Sequence, residues 1–439
     1  MMADTVEAAS LTSSPPLPSQ MLTALFEEAI NAISPRRTMP LTFAPLPASG
    51  RTLVIALGKA AAEMAAVAGE RLSGRVSGLV VTRAGHGLDA GRLDPAFDFM
   101  EAGHPVPDTL SIEAAERALA MAGELGPGDR LIALISGGGS ALMALPAPGV
   151  TLADKQVVTQ MLLRSGAMIS EINCVRKRLS RIKGGRLAVA AAPARVQTLV
   201  ISDVPGDDPA FVASGPTIAD HGTLAEAREI VRRYAVDTPA SVLRALEDPA
   251  NETPSPDTLG LAGADVSVIA RARDALAASA RLAESFGYHV TDLGDRLQAE
   301  ARYLGAGHGG LARRMACDGV PRAILSGGET TVRVTNPDGR GGRNLEYLLG
   351  LAIALAGAPR IHAIACDTDG IDGTENDAGA IIGPDTLARA AALGLDPQQA
   401  LARNESYDFF RRLGDLVVTG PTRTNVNDFR AILISGHED

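Results

Sequence analysis

The chain has 439 residues, a formal net charge of −10 and 46% hydrophobic residues, with no Trp, five Tyr and nine Phe. That length calls for two or three domains around a substantial core. The negative charge argues against nucleic acid and anionic membrane as partners, and the scarcity of aromatic rings removes the stacking platforms of single-strand binders.

Cys174, Cys317 and Cys366 lie too far apart for a metal motif or a disulfide framework, so each is expected as a small core residue. The N-terminus carries Asp4 and Glu7 with no continuous apolar segment, and no apolar run nears the roughly 20 residues that span a bilayer. A cytoplasmic protein is the expectation. Lysine occurs only at positions 59, 155, 177 and 183, and arginine supplies the remaining positive charge. Such economy points to lysine being kept where a compact ammonium matters, although surface lysines also survive by chance.

Residues 1–18 read as a disordered tail. A helix is expected around Met21–Ile33, followed by a Pro-rich connector. Leu53–Leu57 then forms an apolar strand running into Gly58-Lys59-Ala60, where a lysine in the first turn of a helix opposes the helix dipole and calls for an anion. Gly78–Thr82 reads as strand, Leu110–Leu125 as amphipathic helix and Leu131–Ile135 as buried strand. The last leads into Ser136-Gly137-Gly138-Gly139-Ser140, where backbone N–H groups and a helix N-terminus can converge on an oxyanion. The phrase recurs as Ser326-Gly327-Gly328-Glu329-Thr330, which suggests a second wall of one cleft. Strand followed by Ser-Gly-Gly is also an ordinary tight turn. The alternation of strand and helix implies a parallel sheet with helices on both faces and ligands at the carboxyl ends of its strands.

Between Ile172 and Arg186 the chain carries six cations in 15 residues, Lys177 among them. Such a run is usually a solvated helix face, but beside a candidate phosphate turn it gains weight as an anion site. Thr198–Ile201 reads as strand ending in Ser202-Asp203-Val204-Pro205-Gly206-Asp207. Strand-end carboxylates there suit a hard cation or a catalytic base, and also ordinary caps and turns. Asp248–Pro256 marks a composition shift, placing an N-terminal domain at 19–252 and a C-terminal domain at 261–439, the latter opening with Val266–Ala270 as a strand. Gly305-Ala306-Gly307-His308-Gly309-Gly310 is a literal dinucleotide fingerprint, but Leu297–Leu304 before it reads as helix rather than strand, and the match is rejected. Thr330–Val334 is expected as strand. Gly342-Arg343-Asn344 delivers a guanidinium at a helix start, suited to phosphate or carboxylate oxygens. Asp367-Thr368-Asp369-Gly370-Ile371-Asp372 is a strand-end acidic turn that lacks the downstream Glu of a calcium loop.

Eight motifs in order, from Gly58-Lys59-Ala60 through Ser136–Ser140, Asn173-x-Val175-Arg176-Lys177, Ser202–Asp207, Ser326–Thr330, Gly342–Glu346 and Asp367–Gly373 to Thr419–Asp428, resemble the class II glycerate 2-kinases. The resemblance implies an α/β protein of two domains. The first would be a Rossmann-like α/β/α sandwich with a mostly parallel sheet, the second a smaller α/β domain containing a MOFRL region at about 322–430. It implies phosphorylation of D-glycerate at its 2-hydroxyl with ATP and Mg²⁺. Lys59 and Arg343 match residues regarded as catalytic in that family. Asp203 is assigned to proton transfer or metal, with Asp207 as a second metal ligand. Substrate and nucleotide would meet Ser136, Gly137, Gly138, Gly139, Ser140, Lys177, Gly327, Gly328, Glu329, Asn344, Asp369, Thr422, Asn425 and Asn427. Neither nucleic acid nor membrane is a partner in this reading, and a homodimer is a possible assembly. Arg178 stands where the family commonly has His, and Arg423 where it commonly has Gly. The alternative is an NAD(P)H-dependent hydroxypyruvate reductase, a label that relatives have carried and one that requires the dinucleotide fingerprint rejected above.

Overall fold

In the computed structural model, which describes residues 17–234 and 237–436, the apolar runs of the first half assemble into a six-stranded, wholly parallel sheet. Its strands are β1 (Arg51–Leu57), β2 (Arg75–Arg83), β3 (Phe97–Ala102), β4 (Arg130–Ile135), β5 (Arg195–Ile201) and β6 (Asp265–Ala270), in the order β3-β2-β1-β4-β5-β6. Val54, Ala56, Ile132 and Leu134 enter one buried cluster and Leu53, Ile55, Leu131 and Ala133 another, so the sheet is covered on both faces, as is usual for a parallel sheet. The strand order reverses between β1 and β4, which is where a doubly wound sheet opens a crevice for ligands.

The second sheet is mixed. It contains β7 (His289–Asp292), β8 (Arg322–Ser326), β9 (Ile361–Asp367), β10 (Gly379–Ile382), β11 (Leu416–Val417) and β12 (Asp428–Ile434), in the order β11-β10-β9-β12-β8-β7. Side chains alternate cleanly across it. Ala363, Ala365, Ile432 and Ile434 face the helices Ala301–Met315 and Arg343–Leu355, while Ile364, Cys366, Ala431 and Leu433 face the opposite way. The two α/β units anticipated from the sequence are therefore present.

The chain divides between them differently from the sequence reading. Residues 265–270, expected to open the second unit, pair in parallel with β5 and complete the first sheet as its edge. The helix Pro18–Ala32, expected in the first unit, sets Met21, Leu22, Leu25, Phe26 and Ala29 against the second sheet, with the Phe26 and Phe429 rings 5.7 Å apart. Its apolar stripe at helical spacing covers a sheet face that would otherwise lie open. Of the tail expected at 1–18, residues 1–16 lie outside the described residues. Thr330–Val334 is not a strand: Thr331 makes one isolated bridge to Glu300, and Thr330 is held by the Asp428 carboxylate instead. Of the cysteines only Cys366 is in the core; Cys317 is exposed.

The fingerprint-like glycines have a packing role. All lie in the helix Ala301–Met315, which begins at Ala301 rather than at 297. A Cβ on Gly305 would sit 2.1 Å from the Tyr347 carbonyl oxygen, so the glycine lets this helix cross Arg343–Leu355 with backbones nearly touching. Gly307 faces solvent with nothing within 4 Å. Gly305→Ala is accordingly expected to destabilise by about 1–3 kcal/mol through overpacking. Gly307→Ala should be neutral or stabilising by up to about 1 kcal/mol. Urea midpoints of the two variants measure the contrast.

Candidate functional site

Leu57 of β1 pairs in register with Ile135 of β4, so both strands end level and their glycine turns emerge side by side at the switch point. Backbone bonds lock the turns together: Ser136 N–H donates to Leu57 O at 2.9 Å and Lys59 N–H to Gly137 O at 2.9 Å. The Ser136 hydroxyl is buried and accepts from Ala60 N–H at 3.0 Å. Gly137 admits no side chain, since a Cβ would fall 1.8 Å from Asp203 Oδ2 and 2.5 Å from Asn425 Nδ2.

The second sheet supplies the facing wall. Asp367 ends β9 and pairs in register with Asp428, which begins β12. Arg343, the first residue of its helix, sits where three carboxylates meet. Its guanidinium donates to Asp428 Oδ1, Asp367 Oδ2 and Glu329 Oε1, each at 2.7 Å. The helix start is fixed by buried Asp372, which accepts from Asn344 N–H at 3.1 Å and Leu345 N–H at 2.9 Å. Asn344 also donates its side-chain amide to Asp428 Oδ1 at 2.9 Å.

Across the cleft, Lys59 Nζ reaches Asp369 Oδ2 at 2.5 Å. Lys59, Asp369, Asp367 and Arg343 thus form a line of charges joining the two sheets, with the two carboxylates side by side between the two cations. Lys59, Arg83 and His104 on one side and Thr330, Arg343, Asp367 and Asp369 on the other line a cavity of about 630 Å³.

Burial and charge compete at each ionisable group. Burial disfavours the Lys59 ammonium, but Asp369 and then Asp367 outweigh it and hold its pKa above the ordinary value. Arg343 is likewise held well above its ordinary value by Asp428, Asp367 and Glu329 despite burial. Burial, reinforced by the Asp369 charge, raises Asp367. Burial lifts Asp203 to about 6 against the pull of Lys59, and lifts Asp372 to about 7. His104 is depressed to about 4 by burial and by the Lys59 and Arg83 charges, so its imidazole is neutral near pH 7.

The residues singled out from sequence fall at several different places. Lys59, Arg343, Glu329 and Asp369 meet at the cleft. Asn425 donates to Asp203 Oδ2 at 3.2 Å and Asn427 to Asp203 O at 2.5 Å, tying the C-terminal loop to the β5 end. Asn344 and Thr422 are positioning groups, the latter bonding its hydroxyl to Thr368 O at 2.5 Å. The turn Gly137–Gly139 adjoins the cleft, with the Cβ position of Gly138 3.4 Å from Lys59 Cγ, while Gly327 and Gly328 pack against Asp295 and Leu297. Lys177 lies elsewhere, buried on Asp220 at 2.6 Å beside a different cavity. Asp207 accepts from Arg273 Nη2 at 2.9 Å. Of the two unusual arginines, Arg178 is fully buried among Asp220, Glu252 and Thr253. Arg423 adopts φ of 61° and bridges to Gly87 O at 3.3 Å. Asp367, Asp428, His104 and Arg83 were not on the sequence-derived list. The first two carried a usable signal, as strand-end carboxylates inside recognised motifs.

Residues 21–247 match a family described as a domain of unknown function, DUF4147, and residues 322–428 match the MOFRL family. A protein of Agrobacterium vitis named putative hydroxypyruvate reductase is 49% identical over 421 residues, 94% of each chain. D-glycerate 2-kinase of Thermotoga maritima is 38% identical over 409 residues, covering 92% of this chain and 95% of that one. A crystal structure of glycerate kinase from Thermotoga maritima superposes with a TM-score of 0.82 at 36% identity, covering 94% of this chain and 99% of that one.

The raised pKa of Asp203 has a stability consequence. A carboxyl group that ionises less readily folded than unfolded costs stability above its folded pKa, and the cost disappears as pH falls below the unfolded value. Asp203→Asn is expected to stabilise by up to about 2 kcal/mol at pH 8. The gain should shrink through pH 6 and vanish near pH 4, as read from urea denaturation at each pH.

Proposed function

The chain belongs to the glycerate kinase family whose members join a DUF4147 region to a MOFRL region, and from that premise we propose that it transfers the terminal phosphoryl group of ATP to the 2-hydroxyl of D-glycerate. The observation that carries the reading is the convergence of Lys59, from the first sheet, and Arg343, from the second, on one cavity. Phosphoryl transfer asks a protein chiefly to position two substrates and neutralise charge on the migrating group. A point ammonium and a planar guanidinium, held protonated by their carboxylate neighbours, suit that task. When the phosphoryl group enters, its oxygens replace Asp369 and Glu329 as the partners of the two cations.

Asp203 is the proposed acceptor of the proton from the attacking hydroxyl. Its pKa of about 6 leaves it ionised near neutral pH while keeping it more basic than an ordinary carboxylate. The neutral His104 ring can bond a second polar group of the acceptor. Among the described residues no group of three or more His, Cys, Asp or Glu is arranged to hold a metal ion. Mg²⁺ commonly binds through one or two carboxylates together with the nucleotide phosphates, and Asp203, half-buried and in no ion pair among the described residues, is a carboxylate that fits. Bound there with the donor, the ion would supply further neutralisation of phosphate charge.

The names of the Agrobacterium vitis relatives favour a reductase as the second reading. The Gly305–Gly310 segment argues against it, because those glycines lie inside a helix rather than in a strand-to-helix turn, and Gly305 and Gly309 pack against the helix Arg343–Leu355.

Incubation with ATP, Mg²⁺ and D-glycerate, coupled to enolase and pyruvate kinase without phosphoglycerate mutase, is expected to give signal, since enolase accepts only the 2-phosphate. NADH oxidation with hydroxypyruvate and no kinase signal would favour the reductase. Lys59→Met should lower kcat by about 10²–10³-fold. The pH profile of kcat/KM should fall roughly tenfold per unit below about pH 6 as Asp203 takes up a proton, and Asp203→Asn should remove that acid limb along with most activity.

A further inference from the structure

Beyond the cleft, the far end of the Ser136–Ser140 turn meets a group of cations with no carboxylate among them. Ser140, half-buried, accepts from Arg176 Nη2 at 2.7 Å and from Lys183 Nζ at 3.1 Å, and shares a hydrogen bond of 2.9 Å with the Ser214 hydroxyl. Lys183 spends its other protons on the carbonyls of Ser140 and Met143. Lys155 is 5% exposed and its Nζ has no hydrogen-bond partner among the described residues. The charged neighbours of Lys155 are Arg176 and Arg186, and those of Lys183 are Lys155, Arg176 and Lys177, all of them positive. The adjacent Lys177 and Arg178 differ in sharing the Asp220 carboxylate.

Burying cations without a counterion is expensive, and natural proteins answer it with a pairing anion or a shifted pKa. Lys155 shows the second response, depressed to about 7 by burial and by the charge of Arg176. The first response is available at Arg176. This guanidinium has five N–H donors, and among the described residues its one protein hydrogen bond goes to Ser140. The rest of the fork is open at a half-buried surface. The loop that brings Ser214 into contact is strained, with Ala213 at φ 50° and Ser214 at φ 62°, a left-handed conformation that costs non-glycine residues of order 1–3 kcal/mol each and tends to mark functional sites.

We propose that Arg176 and Lys155, beside Ser140 at the end of the glycine turn away from Lys59, form an oxyanion seat that takes a carboxylate or phosphate group. The seat stands on its own geometry. Naming its occupant, the carboxylate of the acceptor acid or a phosphate of the donor, rests on the kinase reading. One residue of the turn, Gly139, separates Ser140 from Gly138, which borders the cleft, so a small dianionic ligand or a polyphosphate can touch both places.

The scarcity of lysine makes a direct test practical. Full-length protein labelled with ¹³C at lysine Cε has four side-chain resonances, assigned with Lys59→Met and Lys155→Met, and is titrated with inorganic phosphate at constant ionic strength. The Lys155 signal is expected to move saturably in the wild type and in Lys59→Met, and to stop moving in Arg176→Met. This result does not depend on the enzyme being a kinase. A response confined to Lys59, or a Lys155 response unaffected by Arg176→Met, overturns the proposal. If Arg176→Met does not fold, Arg176→Lys keeps a charge but loses the fork and should weaken phosphate at least fivefold; unchanged affinity overturns the seat. In kinase assays with Arg176→Lys, a KM raised roughly tenfold for glycerate identifies the carboxylate, and one raised for ATP identifies the phosphate. Both KM values within twofold of wild type would remove the seat from the reaction.

Discussion

Asp367 and Asp369 stand at the end of one strand and face cations that come from opposite halves of the chain. Arg343 answers the first from the start of a helix packed on the same sheet, and Lys59 answers the second from across the cleft. Two buried carboxylates so close together would repel each other severely without those partners. The loop conformation, the start of the Arg343 helix and the approach of the two sheets are therefore one electrostatic problem with one solution. Removing either cation leaves a buried charge uncompensated, which is far more costly than the pair is favourable. A ligand that brings its own negative charge exchanges partners with this network rather than entering an empty space.

Much of this was visible in the residues. The apolar runs before Gly58 and Ser136 read as two parallel strands, and the rule that ligands gather at strand ends puts Lys59 beside a cleft, where it lines the cavity between the two sheets. What sequence could not show is which strands are neighbours. The level ending of β1 and β4, and the face-to-face pairing of Asp367 with Asp428, are matters of register over long separations. For the same reason Asp428 was read as the end of a motif rather than as the residue that holds Arg343, Asn344 and Thr330 together. In sequence a strand-end acid such as Asp207 looks the same whether it faces a ligand or an arginine 66 residues away. The cation run at 172–186 was ambiguous by nature, because helical spacing alone does not say which side chains are buried.

The cleft has little freedom to rearrange by moving whole lobes. One cluster of buried side chains runs without interruption from Val54, Ala56 and Leu134 of the first sheet, through the helices Pro18–Ala32 and Ala272–Ser285, to Ile364, Phe429 and Leu433 of the second. Interiors of this kind are packed densely and resist shear. The exchange of charge partners is thus expected from side chains and the loops that bear them.

The helix Pro18–Ala32, built into the sheet most distant from it in sequence, has a practical meaning for anyone dividing the gene. Its Ser279 and Thr424 contacts, to the carbonyls of Leu25 and Ile33, tie the beginning of the polypeptide to elements encoded hundreds of codons downstream. A fragment cut at the composition boundary near residue 252 would lack β6 on one side and this covering helix on the other. Each piece would expose apolar surface suited to aggregation, and co-expressed pieces would have to recombine to form either sheet's full complement.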